Sequence, residues 1–418
     1  MTPLNFKKIL LVALALFLAS ESLFLINIHY PKTYNFDEVQ YVPTAKTFID
    51  FSEMRNIEHP PLAKEMMAVG LAIAGDNPLG WRLSCTVFGA LTLVAMYLLA
   101  TALFRNEQMA LLTAGFTGFN QLLYVQARIA MLDTVMMAFL AFALAFLAFS
   151  FEPRIGRKRA LIFWAASGAS FGLAVACKWY ALYPMFASIV MIFFARFKKF
   201  GGRWPEIKFR WLLITFGALP AVIYFSTFLP YCFFKTNPLS FFDLWSFQLK
   251  MYDGQLRVVG DHPYLSHWAS WPFMKRPIWY AFDKDGPNDE YIRGVLLLGN
   301  PMVVWGGLLA LIFCAYRWYK KRNFVDFFIV YFYCAMYFCW MFFPRKVAFY
   351  YYYYPAAFIL GLALTQALNQ DPFKKINHMR IWALAMSAIF FFYFLPVLGA
   401  FQIGKGEFLK WMWFTSWI

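Results

Sequence analysis

The feature that most constrains this chain is a succession of long apolar runs separated by short charged segments. A helix crossing the hydrocarbon of a bilayer needs about 20 mostly apolar residues, and such stretches recur from residue 9 to residue 400. Taken as helices they cover 9–28, 82–104, 109–124, 134–151, 160–177, 179–195, 211–231, 294–316, 324–343, 347–368 and 381–400, about eleven spans. Composition agrees. Of 418 residues, 61% are apolar, 22% aromatic and 14% charged, whereas soluble domains carry roughly a quarter charged residues. The expectation is an all-α polytopic membrane protein forming one domain, with no internal repeat and no low-complexity linker.

A net charge of +16 suggests nucleic acid until its distribution is considered. The short segments 1–8, 105–108, 152–160, 196–210, 317–326 and 371–380 hold 20 Lys and Arg against 5 acids, leaving 18 and 17 elsewhere. The excess therefore lies on one side of the membrane, as the positive-inside bias predicts. Clusters such as RFKKFGGR (196–203) are topology signals, and no nucleic-acid partner is expected. The six cysteines show no CxxC spacing and read as small buried side chains. The first run has a basic start like a signal peptide, but its apolar character resumes at LFLINI (23–28) past Glu21, which favours an uncleaved first helix with a cytoplasmic amino terminus.

Two far-side segments, 29–81 and 232–293, are too long to be simple turns and are rich in aromatics, Pro and mixed charge. Loops of that length in a compact protein are usually functional. Within the first, PLAKEMMAVGLAIAG (61–75) has helical apolar spacing but is too short to span, so it reads as an amphipathic interfacial helix. The second carries HPYLSHWASWPFMKRPIWY (262–280), whose Trp and Tyr suit the headgroup belt.

Chemistry-bearing residues gather on that far side. YNFDEVQYVP (34–43) sets Asp37 beside Glu38 shortly after the first span. EHPPLAK (58–64) has consecutive prolines that exclude helix before Leu62 and aim Glu58, His59 and Lys64 at a fixed place. QARIAMLDTVMMAFL (126–140) puts Arg128 and Asp133 at a membrane boundary. Charges there are costly, so they should pair with each other or serve a ligand. ACKWYAL (176–182) supplies Lys178, and PRKVAFYYYYYP (344–355) supplies Arg345 and Lys346 before five tyrosines that read as aromatic anchors. Cations at the lipid–water boundary suit a phosphate whose tail stays in the bilayer. A positioned carboxylate suits deprotonation of a hydroxyl. A metal site from Glu58, His59, His262 and His267 is not favoured, because HPYLSH spaces its histidines poorly and Pro263 breaks any helix.

At this point the chain resembles the protein O-mannosyltransferases. FDEVQY, EHPPLAK, GDNPLGWRL (75–83), ARIAMLD and CKW occur in the order seen in that family, and HPYLSHWASWPFMKRPIWY, LLLGNPMVVW (296–305) and FYYYYYP look like its carboxyl-terminal four-span region. The resemblance covers nearly all 418 residues. It implies a GT-C membrane fold, with 1–231 as the catalytic transmembrane part and 232–418 as a loop plus four spans. It further implies an inverting transfer of a sugar, mannose in that family, from a polyprenyl-phosphate donor to a protein Ser or Thr, with no cofactor required. By the same resemblance Asp37 is the catalytic base and Glu38 its neighbour in the acceptor site. Arg128 and Lys178 match positions linked to the donor phosphate, and Glu58 and His59 match the pocket-shaping loop. The large extramembrane carbohydrate-binding-like insert of the eukaryotic members is missing, since the second long loop has no room for it. That favours a bacterial-type member in the cytoplasmic (inner) membrane, with active site and carboxyl terminus external. Two alternatives stay open: transfer of another sugar to a lipid A-like or cell-wall acceptor, and a transporter or flippase of lipid-linked sugars. Transporters often show repeated halves, which are not visible here.

Overall fold

The computed structural model describes residues 6–152, 155–198, 207–257, 260–342, 347–376 and 378–418, with the side chains of 196–198 excepted. Its helices, in chain order, are α1 (Phe6–Leu25), α2 (Glu38–Asp50), α3 (Leu62–Ala74), α4 (Pro78–Phe104), α5 (Glu107–Gly118), α6 (Gln121–Gln126), α7 (Leu132–Ser150) and α8 (Arg157–Cys177). There follow α9 (Leu182–Lys198), α10 (Phe209–Leu213), α11 (Leu219–Ser226), α12 (Leu244–Arg257), α13 (Gly307–Lys321), α14 (Phe324–Phe338), α15 (Tyr354–Leu368) and α16 (Met379–Leu398).

Among the described residues, 8 helical stretches are long and apolar enough to cross a bilayer, which makes this an integral membrane protein. The three other expected spans are helices too short for that length. The 109–124 run breaks where Gly118 ends α5 and the Asn120 side chain caps α6 by accepting from Leu122 N at 3.1 Å. The 179–195 run is a shorter apolar helix. The 347–368 run begins as a 3-10 turn over Tyr350–Tyr353 before α15 starts. One span is itself irregular, with a wide π turn over Ile214–Ala218 between α10 and α11. Gly168 of α8 faces that turn, and a Cβ there would lie 1.6 Å from the Thr215 carbonyl oxygen. Only glycine lets the two backbones approach so closely.

One end of the bundle is built from the two long loops. Here Pro78, with Asn77 capping at 3.0 Å to Leu79 N, starts α4. On this end α2 packs on α3, and α3 packs against α4 and reaches α7 and α8. A three-stranded antiparallel sheet, β1 (Ile278–Asp285), β2 (Tyr291–Leu297) and β3 (Gln402–Gly404), lies there as well. It is an addition to the all-helical expectation. The tyrosines 350–354 are also a correction: all five are buried, between 0% and 3% exposed. They form the floor of this end instead of anchoring a helix in the headgroups.

Candidate active site

Asp37 and Glu38 share the start of α2 but differ in surroundings. Glu38 is fully buried. Its carboxylate takes Arg82 in a two-pronged pair, Oε1 to Nε at 2.8 Å and Oε2 to Nη2 at 2.9 Å. It also accepts from Ala130 N at 2.8 Å and Asn35 N at 3.1 Å. Arg82 Nη1 spends its protons on the carbonyls of Ile28 (3.0 Å) and Pro31 (2.9 Å). One ion pair thus ties together the α1–α2 loop, α2, α4 and the α6–α7 turn.

Asp37 is half-buried at the helix N-terminus, and its Oδ2 accepts from the Tyr41 hydroxyl at 3.2 Å. Burial, and then the charge of Asp37, push the Tyr41 hydroxyl well above its ordinary pKa, so it stays a proton donor to this carboxylate. The residue before Asp37 is strained: Phe36 has φ 52°, a region where bulky side chains rarely sit. Its ring is held against His262 (5.4 Å), Tyr280 (5.0 Å), Phe349 (5.5 Å) and Tyr351 (6.2 Å). Such strain persists only where surroundings over-determine it, and here the aromatic cage fixes where Asp37 stands.

Asp133 does not pair with Arg128. Its Oδ2 meets Lys178 Nζ at 2.7 Å, both groups being buried, and Oδ1 accepts from Tyr180 at 3.4 Å. Lys178 Nζ lies 4.8 Å from the Tyr351 ring centre and 5.2 Å from that of Tyr352. Tyr351 therefore contacts both Phe36, the residue before Asp37, and Lys178, the partner of Asp133. Near this pair, Gln126 Nε2 and the Tyr354 hydroxyl are buried without a protein partner among the described residues. Unsatisfied buried polar groups of this kind invite a polar ligand.

Arg128 has a different occupation. Its guanidinium donates to the carbonyls of Phe24 (2.8 Å), Ile26 and Gly399 (3.3 Å). Those oxygens end α1 and α16, so Arg128 caps two helix C-termini at the negative ends of their dipoles. Nε has no protein partner among the described residues. Arg128→Ala is expected to cost about 2–4 kcal/mol of stability, since three carbonyls lose a charged donor. Thermal unfolding in detergent checks this. Arg345 and Lys346 lie outside the described residues.

The EHPPLAK stretch is pinned from beneath. Lys64 is buried and donates to the carbonyls of Asn56 (2.6 Å) and His59 (2.8 Å). Burial brings its ammonium down to about 7 against the pull of Glu58 and Glu65. Burial likewise lifts the Glu65 carboxyl to about 7 against the pull of Lys64. An uncharged amine still has the two N–H groups these carbonyls need. The shifts act in opposite pH ranges. Folded Lys64 holds fewer protons than the unfolded chain between about 7 and its ordinary 10.5, so stability rises with pH there. Folded Glu65 holds more between 4.5 and about 7, so stability falls as pH rises through that window. These two groups therefore place a stability minimum near neutrality. Glu65→Gln should abolish the fall between pH 5 and 7, on the order of 1–2 kcal/mol, in unfolding midpoints followed against pH.

The arrangement brings Asp37, Glu38, Asp133, Lys178 and Arg128 to one end of the bundle, with the Glu58–Lys64 loop beside Tyr41 through a 6.2 Å ring contact with His59. Several partners were not singled out from sequence, among them Arg82, Tyr41, Tyr351 and Gln126. Arg82 was within reach, since it stands in GDNPLGWRL.

Two family models match successive parts of the chain. Residues 58–231 match "Dolichyl-phosphate-mannose-protein mannosyltransferase", and residues 240–417 match "C-terminal four TMM region of protein-O-mannosyltransferase". The chain belongs to the protein O-mannosyltransferase family. It is accordingly a glycosyltransferase of the GT-C fold. A polyprenol-phosphate-mannose–protein mannosyltransferase of Mycolicibacterium smegmatis is 24% identical over 91% of this chain and 87% of the relative. Among solved structures, the Saccharomyces cerevisiae Pmt1–Pmt2 complex bound to the sugar donor aligns with a TM-score of 0.82 at 15% identity, covering 99% of this chain and 93% of that one. ArnT from Cupriavidus metallidurans bound to undecaprenyl phosphate aligns at 0.58 and 17%, covering 94% and 64%. At such identities the structural likeness concerns the fold.

Proposed function

We propose that this protein transfers mannose from a polyprenyl-phosphate donor to a Ser or Thr hydroxyl of a protein at the external face of the bacterial inner membrane. The names of its relatives and the one-sided excess of basic residues support this reading. The observation that carries it is that Tyr351 contacts both Phe36, which precedes the half-buried Asp37, and Lys178 of the buried Asp133–Lys178 pair.

In this reading the acceptor oxygen attacks the anomeric carbon as the bond from that carbon to the phosphate oxygen breaks. Asp37 takes the hydroxyl proton, and polyprenyl phosphate leaves with the electron pair, so the anomeric configuration inverts. Phosphate is a good leaving group, and a cation beside it stabilises its developing charge without a separate acid. Lys178 is the described cation best suited to that task. Arg128 supports the site mainly by fixing two helix ends. Glu38 acts in this reading as the anchor of Asp37, not as a second acid in the chemistry. Glu58, His59 and Lys64 shape the acceptor side, and no cofactor enters the scheme.

The test is purified protein in proteoliposomes with radiolabelled polyprenyl-phosphate mannose, offered a Ser/Thr peptide or a lipid acceptor. Label on the peptide supports the reading. Label confined to lipid, or donor moved across the membrane unchanged, overturns it.

A further inference from the structure

The short helix α6 carries buried polar side chains whose partners are incomplete. Gln121 Oε1, the Tyr124 hydroxyl and Gln126 Nε2 have no protein partner among the described residues. The first two belong to the packing around α16. Gln121 Nε2 donates to Phe390 O at 3.1 Å, and a Cβ at Gly399 would lie 2.7 Å from the Tyr124 hydroxyl oxygen. Gln126, the last residue of the helix, turns to other elements and is fully buried. Its Oε1 accepts from the Tyr280 hydroxyl at 3.2 Å. Its backbone carbonyl accepts at 2.6 Å from Thr134 Oγ1, the residue after Asp133.

Tyr280, on β1, joins this amide to the acids. Its ring lies 5.0 Å from that of Phe36, the residue before Asp37. Burial above all, then Asp133, Asp37 and Tyr354, push its hydroxyl well above the ordinary pKa. It therefore stays protonated, in the field of both acids and near the Tyr354 hydroxyl. That hydroxyl is itself buried with no protein partner among the described residues. Buried tyrosine and amide groups nearly always find partners, so two orphans in one neighbourhood ask for a ligand that supplies them.

The kind of ligand follows from the groups. Neither is charged, so they suit a neutral ligand atom and not an ion. The Tyr280 hydroxyl can donate or accept, so the Gln126 amide can sit either way round. One orientation leaves the amide N–H groups free and the other leaves the carbonyl oxygen free. A hydroxyl group both donates and accepts, so it satisfies the amide in either orientation and the Tyr354 hydroxyl as well. We propose that Gln126 is a specificity-determining residue of the transfer reaction: with the Tyr354 hydroxyl it receives a hydroxyl group of the donor sugar. This deepens the function proposed above and rests on it. The anomeric carbon is bonded to the phosphate oxygen, so the groups that read the sugar have to lie close to the cation that meets the phosphate. Asp133, paired with Lys178 and next to Thr134, gives Gln126 that proximity.

The experiment uses the full-length protein in proteoliposomes with polyprenyl-phosphate mannose and a set of analogues, each lacking one sugar hydroxyl. Gln126→Met keeps the length of the side chain and offers no hydrogen bond. It should lower kcat/KM for the mannosyl donor about tenfold, the size of one lost hydrogen bond that leaves its partner unpaired. For one analogue, the donor without the hydroxyl that Gln126 receives, wild type and variant should agree within about twofold. Tyr354→Phe removes a single unpartnered oxygen, so its thermal unfolding should match the wild type, and it should show the same convergence on one analogue. Equal transfer from the mannosyl donor by wild type and both variants assigns the free amide and hydroxyl to water and overturns the proposal. So does a loss of equal size with every analogue, which is what a purely structural role gives. Donor binding to the protein in nanodiscs, without acceptor, repeats the comparison without turnover. A protein that discriminates the analogues in binding yet transfers nothing overturns the function proposed above and leaves the subsite standing.

Discussion

Asp37→Asn is expected to lower mannosyl transfer by about 10²- to 10⁴-fold, the range a general base contributes, while the protein inserts and unfolds much as the wild type does. The substitution keeps the shape of the side chain, and an amide oxygen still accepts from the Tyr41 hydroxyl now 3.2 Å from Oδ2. Asp37 is half-buried, and its place is set by Phe36 in its aromatic cage and by the start of α2, neither of which the change touches. What disappears is the ability to take a proton. The loss should fall on kcat, with the donor KM nearly unchanged, because Lys178 is paired with Asp133 and the change does not touch that pair. Near-normal turnover by Asp37→Asn in the proteoliposome assay would remove this carboxylate from the chemistry. A collapse of thermal stability would instead assign it a structural part.

The spans were legible because hydrocarbon imposes a length on any helix that crosses it. Irregularities inside them were less so. The break at Asn120 and the 3-10 start over Tyr350–Tyr353 depend on neighbours that a linear reading does not contain. The burial of the tyrosines is of the same kind, since a belt and a core use the same residue. The sheet left a trace that was passed over: Asp285-Gly286 follows an aromatic, β-branched run, and Gly286 has φ 90° at the turn into β2. For the site, residue types and their order in the chain gave the neighbourhood, whereas the partners were hidden. Arg128 and Asp133 look paired because they are close in sequence. In the fold Asp133 goes to Lys178, 45 positions away, and Arg128 goes to helix ends up to 271 positions away. Charges choose partners by the geometry of packing, which spacing along a loop does not encode.

Glu38→Gln and Arg82→Met should each destabilise the protein by about 3–5 kcal/mol, the usual cost of leaving one half of a buried ion pair alone. Neither side chain has any exposure, so water cannot replace the missing partner. Glu38→Gln leaves the Arg82 charge facing a neutral amide, and the amide nitrogen now confronts an N–H of Arg82, Ala130 or Asn35 where the carboxylate accepted from all three. Arg82→Met strips the carbonyls of Ile28 and Pro31 as well as Glu38. Combining the two should cost clearly less than the sum, because each single change already removes the shared interaction. Thermal unfolding of the four proteins in one detergent, with transfer measured per folded molecule, reads this cycle. Under the proposed function the adjacent acids divide the work: Asp37 is the one to meet substrate, and Glu38 holds the loop that carries it. A Glu38→Gln protein of wild-type stability but with kcat reduced as deeply as in Asp37→Asn would reverse that division and return Glu38 to the chemistry.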